Sequence, residues 1–252
     1  MLVTQDLKGR RAVVTGASRG LGRAIGERLA ASGAHIMAID LPEALAACPK
    51  DWTAVPIDLT ADDAETRLSA AAAVYEVVDI VVANAGSVPP WRGVTELDRN
   101  EWKRVMTLNS WAVAATLGTF VPSLSRSNHA SAILMASING YRAHPKQVLY
   151  TASKHAVIGI LRSAAQDLGP KGIRVNALAP GPIATDALME RLATRHAGGG
   201  PSPDEAVVGL SAETALGRMA TADDVANAAH FLASDAASAI TGQVVPVEAG
   251  LS

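Results

Sequence analysis

Residues 15–22 read Thr15-Gly16-Ala17-Ser18-Arg19-Gly20-Leu21-Gly22, three glycines between an apolar run and a helical pattern. Before them, Arg11-Ala12-Val13-Val14 is a short strand; after them, Leu21 to Ala31 carries apolar residues at helical spacing. Glycines in a strand-to-helix turn let the backbone adopt φ > 0 and come close to a ligand. The start of the helix offers unpaired N–H groups and a positive dipole end to a pyrophosphate. The spacing is G-x-x-x-G-x-G and not the commoner G-x-G-x-x-G, so tight packing alone is a second explanation of the turn.

Working outward, the alternation continues. His35 to Ile39 and Thr53 to Ile57 read as strands, followed by Asp79-Ile80-Val81-Val82. A long helical region spans about Leu97 to Leu124, then come a strand from Ala130 to Ala136 and a helix from about Tyr150 to Leu168. Strand Ile173 to Ala177, helix Ala222 to Ala233 and strand Gln243 to Val247 complete the pattern. Strands separated by helix-length segments require crossovers, hence an α/β doubly wound parallel sheet of about seven strands with helices on both faces. No composition break divides the chain, which reads as one domain over 1–252. The glycines and prolines of Arg195 to Pro203 argue against regular structure there. That stretch is either a plain surface loop or part of a substrate lid at about 187–216.

Composition narrows the function classes. The chain is 49% hydrophobic and 18% charged, a folded globule by composition. A formal net charge of -2 gives no general attraction to nucleic acid or anionic membrane. Cys48 is the only cysteine, so no internal disulfide forms. No apolar run of signal or membrane-span length occurs, and a cytoplasmic protein without a metal is expected.

Two constellations carry chemistry. Asp40 follows the second strand, where such folds put the carboxylate that binds the adenosine ribose. It accepts from both ribose hydroxyls and repels a 2′-phosphate, which favours NAD. Arg19 argues for NADP, but Leu41 after Asp40 supplies no second cation for a phosphate clamp. Further on, Tyr150-Thr151-Ala152-Ser153-Lys154 sets a phenol and an ammonium at i and i+4, one face of a helix. A cation at about 4 Å, with an effective dielectric of about 20, is worth roughly 4 kcal/mol, about three pKa units for the phenol. Lys154 is therefore expected to make Tyr150 ionisable.

The glycine turn, Asp40, Asn84-Ala85-Gly86, Ser137 and the Tyr150/Lys154 pair, in this order, resemble the short-chain dehydrogenase/reductase family in its single-domain branch, from Leu7-Lys8-Gly9 to Ile240-Thr241-Gly242-Gln243. The resemblance implies a Rossmann fold and a catalytic set of Asn109, Ser137, Tyr150 and Lys154. Tyr150 would exchange the proton, Ser137 would hold the substrate oxygen, Lys154 would bind the nicotinamide ribose, and Asn109 would order a water that relays protons. The implied cofactor contacts are Gly16, Ser18, Arg19, Gly20, Leu21 and Gly22; Asp40 and Leu41; Asp58 and Leu59; Asn84, Ala85 and Gly86; Tyr150 and Lys154; and Pro180, Gly181, Ile183 and Thr185. A homotetramer is usual in the family. Three departures are local: Ala83 precedes Asn84 where Asn is common, Ser110-Trp111-Ala112 follows Asn109 where a glycine often ends the motif, and Glu248-Ala249-Gly250 replaces acidic-Gly-Gly.

On the substrate side, Ser137, Asn139, Arg142, His144 and Trp91 are the candidates. Their polarity suits a small polar secondary alcohol or ketone, hydroxylated or anionic, although Arg142 and His144 also read as solvated loop residues. Two alternatives share the motifs: an NADPH-dependent 3-oxoacyl-thioester reductase and a non-catalytic dinucleotide-sensing protein.

Overall fold

Seven strands run parallel in one sheet, in the order β3-β2-β1-β4-β5-β6-β7. They are β1 (Arg11–Thr15), β2 (His35–Asp40), β3 (Thr53–Pro56), β4 (Ile80–Ala83), β5 (Ser131–Met135), β6 (Arg174–Pro180) and β7 (Val244–Val247). The computed structural model describes residues 5–251; Met1 to Thr4 and Ser252 lie outside the described residues. In register, Val13 stands opposite Met37 and Val81, and Val14 opposite Ala38 and Val82.

That pleat divides the core in two. Val13, Met37, Val81 and Leu134 pack against Phe120, Leu117 and Leu161 on one face. Val14, Ala38, Val82 and Ile133 pack against Ile25, Leu29, Val225 and Leu232 on the other. Burial of both faces is why these strands are continuous apolar runs with no alternation. The helices that cover them are α1 (Gly20–Ala31), α2 (Ala64–Ala72), α3 (Arg99–Met106), α4 (Ala112–Leu124), α5 (Val148–Leu168), α6 (Asp186–Ala197), α7 (Pro203–Ala212) and α8 (Ala222–Ala233).

Three features differ from the reading of the sequence. Helix α2 escaped notice because its stripe is thin: Ala64, Leu68 and Ala71 are its buried residues, and two of them are alanines. The long helix expected over Leu97 to Leu124 is broken by a π-helical turn at Thr107–Trp111, which lies between α3 and α4 and contains Asn109. The stretch from Arg195 to Pro203, expected to be irregular throughout, is irregular only at 198–202. Arg195, His196 and Ala197 end α6, while Pro203 opens α7 behind a Ser202/Glu205 capping box. The glycines and proline there act as boundaries: Gly198 caps one helix, and proline at the first helical position loses no hydrogen bond. Beyond α7, Ala215 and Leu216 donate their N–H groups to Gly250 and Ala249, which ties this segment to the C-terminal residues.

The strand order reverses between β1 and β4, so the loops after these strands diverge and open a crevice at their carboxyl ends. Every candidate residue discussed below lies on a strand end or loop at that rim, or on the helices that start there.

Candidate active site

The glycine turn is shaped by contacts from β4. Thr15 Oγ1 accepts the N–H groups of Asn84 and Ala85, each at 3.0 Å, and Asn84 Nδ2 donates to the carbonyls of Thr15 at 2.9 Å and Gly16 at 3.2 Å. Gly16 and Gly20 have φ of 65° and 55°. A Cβ on Gly22 would overlap the Gly16 carbonyl oxygen and stand 2.5 Å from Asn84 Nδ2, so the start of α1 lies flush against the turn. The side chain of Asn84 thus builds the cradle. Thr15, absent from the sequence-derived site, is the joint; a threonine ending a strand carries no signal of that role.

Asp40 faces the same turn. Its Oδ2 accepts Ser18 N–H and its Oδ1 accepts Leu41 N–H, each at 2.8 Å, which leaves lone pairs on both oxygens. Arg19 is the exposed N-cap residue of α1 and makes no side-chain cap bond. Asp58 Oδ1 accepts from Thr60 N–H and Oγ, whereas the Leu59 side chain is buried in the core, so only its backbone is left to meet a ligand. Pro180 ends β6, Gly181 donates its N–H to Val247, and Ile183 is buried. The Thr185 hydroxyl caps α6 by accepting Leu188 N–H at 3.4 Å.

The proton-handling candidates converge beside the end of β5. Ser137 is buried and hydrogen-bonds the Tyr150 hydroxyl. Lys154 is buried and donates to the Met135 carbonyl at 2.8 Å, its Nζ 5.8 Å from the Tyr150 ring centre. Asn109 is fully buried: Oδ1 accepts Ser87 N–H and Nδ2 donates to Ser87 O, both at 2.8 Å, with a further donation to Ser153 Oγ at 3.2 Å. A Cβ on Gly86 would lie 3.2 Å from Asn109 Oδ1 and 3.7 Å from Lys154 Nζ, so Gly86 lies directly against both groups.

The electrostatics correct one expectation. In this chain burial raises the Tyr150 pKa, opposed by the Ser137 hydrogen bond and by the charge of Arg191 on α6. Lys154 is not among the opposing groups. Its ammonium is held on a carbonyl, and burial lowers its own pKa to about 8. Arg191 was not legible in the sequence, because only tertiary packing sets it against a residue 41 positions earlier.

Among the substrate-side candidates, Asn139 is buried and donates to Gln147 Oε1 at 2.5 Å, an internal contact. Arg142 and His144 are exposed. Trp91 is half exposed, with the Arg195 guanidinium stacked 5.3 Å over its ring.

The arrangement fits a dinucleotide. Where a side chain would collide there is glycine, no side chain caps the N-terminus of α1, and Ser87 Oγ, beside Asn109, is buried with no hydrogen-bond partner among the described residues.

Strand order, glycine cradle and the Ser137/Tyr150/Lys154 cluster together make this chain a member of the short-chain dehydrogenase/reductase family. The family model described as Enoyl-(Acyl carrier protein) reductase matches residues 16–252. The chain is 33% identical over 253 residues to the 3-oxoacyl-acyl-carrier-protein reductase FabG of Escherichia coli (strain K12), covering 98% of each. It is 34% identical over 251 residues to the cis-4-hydroxycyclohexanecarboxylate dehydrogenase of Sinomonas cyclohexanicum, covering 96% of each. Carveol dehydrogenase from Mycobacterium avium in complex with NAD superposes with a TM-score of 0.90 at 31% identity, covering 97% of this chain and 98% of that one.

Proposed function

We propose that this chain is an NAD-preferring oxidoreductase that acts on a small polar secondary alcohol or its ketone. The observation that carries the reading is the convergence of Ser137, Tyr150 and Lys154 beside the glycine cradle at one sheet rim. When bound, a nicotinamide dinucleotide supplies the hydride acceptor, or in its reduced form the donor. Gly16, Gly20, Gly22 and the N-terminus of α1 hold its pyrophosphate, and Asp40 accepts from the adenosine ribose. Lys154 keeps donors beyond the one on Met135 for the nicotinamide ribose.

In alcohol oxidation Tyr150 Oη takes the hydroxyl proton while Ser137 Oγ holds the substrate oxygen. In ketone reduction Tyr150 returns that proton to the alkoxide. Burial keeps Tyr150 protonated at rest, which suits a donor; the Ser137 hydrogen bond and the Arg191 charge offset that rise in part and favour the anion needed in the opposite direction. Asn109 fixes the Ser87 backbone at the floor of the site.

The same reading gives one domain with α6 and α7 as a substrate lid, and a homotetramer. Supporting the latter, an open groove of about 630 Å³ on α3, α4 and α5 is lined by Trp102, Met106, Trp111 and Ile160. Among the described residues no helix is long and apolar enough to cross a membrane, and a single cysteine with no disulfide suits the cytoplasm.

The resemblance to FabG favours a second reading, an NADPH-dependent reductase of 3-oxoacyl thioesters. Side-by-side titration of NAD, NADP and their reduced forms separates the two. Turnover is then followed on a panel of secondary alcohols and ketones that includes cis-4-hydroxycyclohexanecarboxylate and an acetoacetyl thioester. The Tyr150→Phe variant is expected to bind NAD within a few fold of the wild type and to lose at least about 10²-fold in turnover. Near-normal turnover in that variant refutes the assignment.

A further inference from the structure

Helix α6 presents Arg191 and Arg195 at i and i+4, on one face. Arg195 is anchored by stacking over Trp91. Trp91 lies between Pro90 and Arg92, and those two residues line a small cavity together with Tyr150. Arg195 is thus tied beside that cavity, and Arg191, one turn earlier on α6, comes near enough to Tyr150 for its charge to act on the phenol.

Arg191 is half-buried and, among the described residues, its guanidinium forms no hydrogen bond or ion pair. No carboxylate is among the groups whose charge acts on Arg191. A guanidinium that has lost water without gaining an acceptor is a costly arrangement, and its five donors form a planar fork suited to a carboxylate. The dinucleotide phosphates would be held at the opposite end of the crevice by Gly16 to Gly22 and so leave Arg191 free.

Building on the oxidoreductase reading, we propose that Arg191 binds a carboxylate on the substrate, making this an oxidoreductase of hydroxy acids and keto acids. The substrate is then held at two points, its oxygen on Ser137 and Tyr150 and its carboxylate on Arg191.

The test titrates three acids against their carboxamides by calorimetry: cis-4-hydroxycyclohexanecarboxylate, 3-hydroxybutyrate and gluconate. Each is added to the wild type, R191Q and R191K, saturated with the preferred dinucleotide, and hydride transfer is read at 340 nm in parallel. Charge-assisted hydrogen bonds of this kind correspond to roughly 10–100-fold in affinity. At least one acid should bind better than its amide by that margin in the wild type. R191Q should lose the preference and R191K should keep part of it, since lysine retains the charge without the fork. Equal binding of acid and amide in all three pairs, no binding of any acid, or an undiminished preference in R191Q overturns the proposal. Failure of the oxidoreductase reading is separate: no absorbance change with any alcohol or ketone, whatever the binding.

Discussion

The side-chain amide of Asn109 closes on the backbone of Ser87 from both directions, accepting its N–H and donating to its carbonyl, each at 2.8 Å. Asn109→Ala leaves a donor and an acceptor unpaired at about 1–3 kcal/mol each, so a loss of roughly 2–6 kcal/mol is expected in urea unfolding. A loss below about 0.5 kcal/mol, the size of an ordinary surface substitution, would mean that the clamp is dispensable.

Gly20 and Gly22 lie two residues apart and should respond differently to alanine. At Gly20 a Cβ meets nothing within 4 Å, and only the positive φ opposes it, at about 1–2 kcal/mol. At Gly22 the Cβ overlaps the Gly16 carbonyl. The turn must open, which adds strain of about 1–3 kcal/mol and lowers dinucleotide affinity roughly tenfold or more. Fluorescence titration with NAD reads the affinity, and wild-type binding by Gly22→Ala would contradict the flush packing.

Lys154 makes stability depend on pH with a definite sign. Its pKa is lowered from 10.5 to about 8 in the folded chain. Between those values the unfolded chain holds more protons, so stability rises with pH. The penalty of the buried ammonium is complete below about pH 8 and gone above about pH 10.5. The shift corresponds to about 3 kcal/mol at roughly 1.36 kcal/mol per unit. Lys154→Met should lack this rise. Urea midpoints of the two proteins without dinucleotide, taken from pH 7.5 to 10.5, test it; parallel curves would rule out a depressed lysine.

The Arg195–Trp91 contact should restrain α6. Exposed cation–π pairs are worth about 0.5–1 kcal/mol, which corresponds to a two- to fivefold change in local opening. Trp91→Ala is expected to speed protease cleavage within 198–202 by that factor. Unchanged cleavage would leave the contact without consequence for the helix.

Much of this was legible along the chain. Helix α8, expected over Ala222 to Ala233, has those bounds, and all seven strands, α1 and α5 shift only by one to three residues at their ends. These elements are announced by apolar runs within a few residues, and glycines mark the turn in the same local way. Helices α6 and α7 were missed because Gly198 and Pro203, which bound them, look from sequence like breakers. The π-helical turn at Asn109 has no sequence signal of its own, since its i to i+5 bonding is set by the contacts of Asn109 and Ser110 with Ser87 and Ser153.

The sequence by itself determined the parallel sheet, the glycine turn and the i, i+4 meeting of Tyr150 with Lys154, because each depends on neighbours in the chain. Only the tertiary structure brought a second cation to the phenol. Lys154 turns to the Met135 carbonyl, and the unpaired guanidinium that faces Tyr150 arrives on α6. An electrostatic partner is fixed by distance in space and by loss of water, and neither quantity is written in residue order.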